Sequence, residues 1–284
     1  MLPIKILDGA MGSELIRRGV HLPPYIWSAE SNLIHKELVY QIHYDYVCAG
    51  SDYITTNTFR TTPRAFQKIG LTYNESRKKA LESLQSAIAL AKKAATPEVK
   101  VLGSIAPLED CYSPEIKIEQ KIALKEYSQI AEWMVAENID GFLLETMNSI
   151  KETKACLEAV NKFDIPIWVS YYLSDPFHLN SGELLTEGIA LAEKFCVDSL
   201  LLNCNPLNRT DQALKTISKI WNGKWGIYPN LGIGDPTHDG NIKQKYSKDV
   251  FITTIKKAVD LGACIIGGCC GSTPEHIELL KKSN

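Results

Sequence analysis

The chain has 284 residues, 45% of them apolar and 23% charged, with a formal net charge of −2. That balance fits a globular protein with a full core, offers no basic field for nucleic acid, and leaves no apolar run long enough for a membrane-spanning helix. Met1–Asp8 lacks the charged and apolar regions of a signal peptide, so the expected location is the cytoplasm, with thiols reduced.

Short apolar runs alternate with segments of helical period, the rhythm of consecutive βα units. Strands are predicted at Ile4–Leu7, Asp52–Thr56, Val99–Ile105, Gly141–Glu145, Ile167–Tyr172, Ser199–Asn203, Trp225–Asn230 and Cys264–Gly268. Between them, Ile34, Leu38, Ile42 and Tyr46, or Leu81, Leu84 and Ile88, form apolar stripes that would face a sheet. Ser149 with Glu152 reads as a capping box, and Thr273 before Pro274 as an N-cap with proline at the first helical position. Without a linker or composition break, the units are best closed into one domain over residues 1–284, a single α/β (β/α)8 TIM barrel; an open sheet is the alternative. A long Gly/Pro/Asn/Asp-rich connection from Tyr228 to Lys248 follows the seventh strand, where barrel loops serve active sites.

Cys48, Cys111, Cys156, Cys196 and Cys264 sit singly among apolar residues and read as small buried hydrophobes. Cys204, Cys269 and Cys270 differ, because they fall at the C-terminal ends of the sixth and eighth strands, the catalytic face of a barrel. Strands of equal parity feed the same layers, so these side chains can converge. Three thiolates leave one position open on a tetrahedral ion, and soft sulfur ligands select zinc over magnesium, calcium or manganese. Gly267, Gly268 and Gly271 would let the backbone turn adjacent cysteines toward one ion. The plainer alternative is a buried Cys-Cys pair without metal. A free thiol is only about 3% ionised at pH 7, a cost of roughly 2 kcal/mol that coordination removes.

Asp8 and Gly9 stand in the segment LDGAMG after the first strand, and Glu145 ends the fourth. A buried carboxylate needs a partner, and the α-ammonium of an amino acid would supply one. For Asp8 a turn is an equal reading, with Ser13 capping the next helix. Thr55, Thr56, Asn57 and Thr58, in TTNTF, offer hydroxyls, an amide and backbone groups suited to a carboxylate, or an ordinary polar loop. The histidines His21, His35, His43, His178 and His238 show no ligand spacing and read as solvated; His276 receives no role.

Together with Gly103–Pro107, Leu144–Thr146, Asn203–Cys204, Tyr228–Asn230 and the specific segment Gly267–Ile277 (GGCCGSTPEHI), these residues resemble the homocysteine S-methyltransferase family over nearly the whole chain. The resemblance implies Zn2+ held by Cys204, Cys269 and Cys270, with the homocysteine sulfur at the open position and Asn230 as a weak fourth ligand before it arrives. It implies that Asp8 and Glu145 hold the ammonium, that the backbone around Thr55–Thr58 holds the carboxylate, and that the product is methionine. Two departures put the donor pocket in question: NLGIGD at Asn230–Asp235, and Ala106 where glycine is frequent. Thr146, where the betaine-using branch has tyrosine, is a third difference.

The leading expectation is therefore methyl transfer from a small sulfonium or ammonium donor, S-methylmethionine first, to homocysteine. A second reading makes the chain the homocysteine-binding module of a multi-protein methionine synthase that receives its methyl group from a corrinoid protein. A zinc hydrolase is disfavoured by an all-thiolate set, and a purely structural barrel comes last.

Overall fold

The computed structural model describes residues 2–113, 115–235, 242 and 244–283. His238 and part of the Tyr228–Lys248 connection lie outside them. In chain order the strands are β1 Lys5–Ile6, β2 Tyr53–Thr55, β3 Lys100–Ile105, β4 Gly141–Met147, β5 Ile167–Tyr171, β6 Leu173–Asp175, β7 His178–Leu179, β8 Ser199–Pro206, β9 Lys224–Asn230 and β10 Ile265–Ile266. Eight of them form one parallel sheet ordered β1-β10-β9-β8-β5-β4-β3-β2. The ring closes where Leu7 bridges Tyr53 in parallel and the Asp52 N–H donates to the Ile6 carbonyl at 2.7 Å. The architecture is the expected (β/α)8 barrel.

Parallel strands covered by helices must be apolar on both faces, and these are. Leu7, Leu102, Leu143, Trp168, Leu201, Tyr228 and Ile265 pack together inside the ring, while a larger cluster fills the layer between strands and helices. Gly226 is required on β9 because a Cβ there would stand 1.9 Å from the Ile265 carbonyl oxygen. No helix among the described residues is long and apolar enough to cross a membrane.

Several local expectations change. The pair β6–β7 is an antiparallel hairpin in the fifth βα connection, too short to register as alternation. At His35 the backbone leaves helical geometry, so one helix ends at Ile34 and another begins at Lys36. The stripe rotates to Val39, Ile42, His43 and Tyr46, leaving Ile34 exposed. His43 is thus fully buried rather than solvated. Ser149 does cap the helix Ile150–Val160, but Glu152 does not complete a box; its carboxylate accepts from Leu108 N–H at 2.8 Å and Tyr127 O–H at 2.7 Å. Cys48 and Cys196 are exposed, one ending the helix Lys36–Cys48 and the other in a left-handed turn, whereas Cys111, Cys156 and Cys264 are buried.

Candidate metal and substrate site

The sulfurs of Cys204, Cys269 and Cys270 meet at the C-terminal mouth of the barrel, all within 4.8 Å of one another. Cys204 Sγ lies 2.9 Å from that of Cys269 and 3.4 Å from that of Cys270. Zinc–sulfur bonds of about 2.3 Å in tetrahedral geometry set ligand sulfurs roughly 3.8 Å apart, so this trio needs only small adjustments to hold such an ion. Its sulfur-only donor set suits a soft metal.

Local backbone geometry explains the convergence. Cys204 stands at φ 57°, a left-handed conformation uncommon for a side-chain-bearing residue, within an irregularity of the β8–β9 ladder between Asn203 and Pro206. The Cys269–Cys270 turn is held on several sides. Cys269 N–H donates to Pro229 O at 2.9 Å, Leu231 N–H to Cys270 O at 2.9 Å, and Gly271 N–H to Ser13 Oγ at 3.0 Å. Ser13 therefore secures the cysteine turn instead of capping its own helix. Gly271, at φ 81°, takes a conformation glycine tolerates, while Gly268 leaves room for Ser272. In turn Ser272 Oγ accepts from Ala10 N–H at 3.1 Å, tying the Asp8–Ser13 loop to the cysteine turn.

The thiols share charge. Hydrogen bonds from Cys269 and Cys270 hold the Cys204 thiol well below the usual cysteine range against the effect of burial, and the two donor thiols are pushed up correspondingly. The Tyr112 hydroxyl, which no motif singles out, lies 3.4 Å from Cys204 Sγ. The Asn230 side chain is hydrogen-bonded within its own loop, its NH2 group donating to Gly234 O at 3.0 Å and its oxygen accepting from Gly232 N–H at 2.7 Å.

Asp8 and Glu145 line the same cavity as the cysteines, a space of about 660 Å3. Burial drives the Asp8 carboxyl well above its usual value, partly offset by the Thr55 N–H at 2.8 Å and the Thr55 hydroxyl. Burial likewise raises Glu145 to about 7, although the Ser104 hydroxyl donates to it. Among the described residues neither carboxylate has a cationic partner. Two buried acids of this kind favour a ligand that brings a positive charge.

Thr55, Thr56 and Asn57 line the cavity with Gly9, whereas Thr58 does not. Their side chains are mostly occupied: Thr56 Oγ1 accepts from Ser104 N–H at 3.0 Å, Thr58 Oγ1 donates to Ser104 O at 2.6 Å, and the Asn57 amide donates to Ser28 O at 3.0 Å and Asn32 Oδ1 at 2.8 Å. The backbone N–H groups of Thr55, Thr56 and Thr58 are also bonded, to Asp8 Oδ2, Leu102 O and Thr56 O. The wall also carries Tyr112 and Tyr172, edge to face at 5.1 Å, together with Phe59 and Arg60.

The sequence profile of the family described as homocysteine S-methyltransferase matches residues 5–283. The chain is 29% identical to the homocysteine S-methyltransferase of Escherichia coli (strain K12), covering 98% of this chain and 94% of that one. It is 25% identical to homocysteine S-methyltransferase YbgG of Bacillus subtilis (strain 168), covering 97% and 93%. The structure resembles the metallated form of the homocysteine methyltransferase MmuM from Escherichia coli, with a TM-score of 0.85, 26% identity, and coverage of 100% of this chain and 97% of that chain.

Proposed function

The chain belongs to the homocysteine S-methyltransferase family, and we propose that it methylates homocysteine from a small sulfonium or ammonium donor, S-methylmethionine first, giving methionine. The observation that carries this reading is the pairing, in one cavity, of three converging sulfurs with two buried acids that have no cation of their own among the described residues. A thiol amino acid complements both ends at once. Residues 1–284 act as one homocysteine-binding barrel.

Cys204, Cys269 and Cys270 would hold Zn2+, which when bound supplies a site that ionises and fixes the acceptor thiol. Asp8 and Glu145 receive the ammonium, and the backbone around Thr55–Thr58 receives the carboxylate. Asn230 could serve as a weak fourth ligand through Oδ1, which keeps a second lone pair beside its bond from Gly232 N–H. In the transfer, the bond from the methyl carbon to the donor heteroatom breaks and one to the homocysteine sulfur forms. The donor leaves with the bonding pair as a neutral sulfide or amine, and the thiol proton passes to solvent. The barrel contributes mainly positioning of acceptor and donor in line.

The test is a donor screen on the purified chain with homocysteine as acceptor, following thiol loss and methionine formation with and without a zinc chelator. Methionine from S-methylmethionine, betaine or dimethylsulfoniopropionate, abolished by the chelator and restored by zinc, is expected. Transfer only from a methylated corrinoid protein would instead make the chain one module of a larger methionine synthase. Hydrolysis without thiol consumption would overturn the assignment.

A further inference from the structure

The cavity wall also carries a cation to which the placement above gives no role. Arg60, in the loop after β2, is half-buried and lines the cavity. Its Nη1 donates to the Pro107 carbonyl at 2.6 Å, and its guanidinium carbon lies 4.9 Å from the centroid of the Phe59 ring. Among the described residues that is its one hydrogen bond, and no carboxylate lies within ion-pairing distance. The other cation on the cavity wall, Lys68, is already neutralised by Glu109.

A guanidinium has five N–H donors in a fork that matches a carboxylate, and withdrawing it from water without a counter-charge is unfavourable. One donor engages Pro107, and Phe59 supports the group; the rest of the fork remains for a ligand. Arg60 shares this cavity with Cys204, Cys269 and Cys270. The cavity, at about 660 Å3, is in the range that takes more than one small amino acid.

We propose that Arg60 is the carboxylate anchor of the methyl donor, so that the enzyme selects small onium compounds bearing a carboxylate over the same cations without one. This rests on the methyl-transfer reading given above. With the negative end of a zwitterionic donor fixed at Arg60, its onium end is directed along the cavity toward the sulfur site. Loss of the methyl group removes the positive charge and leaves the carboxylate, so the anchor serves substrate and product alike.

The experiment compares two probes by titration calorimetry on the full chain: dimethylsulfoniopropionate and ethyldimethylsulfonium, which lacks the carboxylate. The wild type should bind the first at least about ten-fold tighter, the scale of a charge-assisted pair. Arg60→Gln, which keeps an N–H donor for Pro107, should remove that preference while leaving ethyldimethylsulfonium and the homocysteine KM within about two-fold. Arg60→Lys should recover part of it and guards against a fold defect in the first variant. Equal binding of both probes by the wild type, or equal weakening of both in Arg60→Gln, overturns the proposal. So does a rise in homocysteine KM alone, which would assign the guanidinium to the acceptor. Absence of methionine from every donor would defeat the underlying reading instead, and the binding comparison separates that result from this one.

Discussion

The side chain of Asn203 grips Thr146 twice, accepting its backbone N–H at 2.9 Å and donating to its hydroxyl at 2.8 Å. Thr146, next to Glu145, stands at φ 57°, and so does Cys204, next to Asn203. One buried amide therefore braces two left-handed residues beside the two halves of the site, with Ser170 O–H adding a third bond at 2.7 Å. Asn203→Ala should cost about 2–3 kcal/mol by leaving buried groups unpaired, and should also loosen zinc binding by ten-fold or more. Urea unfolding and competition with a chromophoric chelator measure both. An unchanged unfolding midpoint would refute the bracing role.

Replacement of a single sulfur tests the metal assignment. Cys204→Ser and Cys269→Ser should each reduce zinc from about one per chain to nearly none after dialysis, with the circular dichroism of the barrel retained. Tyr112→Phe should keep the ion, because Tyr112 contacts Cys204 without completing the sulfur set. Retention of a full equivalent of zinc by Cys204→Ser would exclude this site.

Glu145 links function to stability. Its carboxyl is raised from the ordinary 4.5 to about 7 in the folded chain, so folding favours the protonated form. The associated stability is fully present below about pH 4.5 and is lost as pH rises through 7, a difference of about 3 kcal/mol. In metal-free protein, Glu145→Gln should therefore be more stable than wild type at pH 8 and nearly equal at pH 4.5. The same variant should bind methionine far more weakly. Equal unfolding free energies at pH 8 would count against the cost of the buried charge.

His43 gives the opposite slope. Among the described residues neither buried ring nitrogen has a hydrogen-bond partner, and burial lowers its pKa from 6.5 to about 4. The unfolded chain takes up the proton first, so stability present above pH 6.5 is lost as pH falls toward 4, by up to about 3 kcal/mol. His43→Leu should flatten this acid limb in a comparison of Tm at pH 7 and pH 4.5. An identical pH dependence in the two proteins would remove His43 from the account.

The barrel was legible because eight apolar runs separated by helical stripes have few other closed solutions, and the three cysteines were legible because strand ends share a face. What escaped was set by tertiary contact. Asn203 and Ser104 look like ordinary polar residues at strand ends until their partners, Thr146 and Glu145, are seen. Tyr112 lies in a loop whose path no periodicity fixes. Ser13 has the local setting of a helix cap, yet its partner is Gly271, distant in sequence. His276, given no role, accepts Thr273 N–H at 3.3 Å and bonds its hydroxyl at 2.9 Å, a side-chain cap no standard box anticipates.

The division of the site along the chain has a mechanical consequence. Asp8 and Glu145 stand before the hairpin β6–β7 and all three cysteines after it, so the proposed amino-acid grip belongs to the five-strand arc β1–β5 and the sulfur corner to the three-strand arc β8–β10. Strand pairing joins the two arcs at β5 with β8 and at β1 with β10, and Asn203–Thr146 and Ser272–Ala10 tie them again beside the site. The span between amino-acid grip and sulfur corner is therefore a gauge set by those junctions. A change that opens one of them would alter the length of amino acid the gauge accepts, without touching any residue that contacts it.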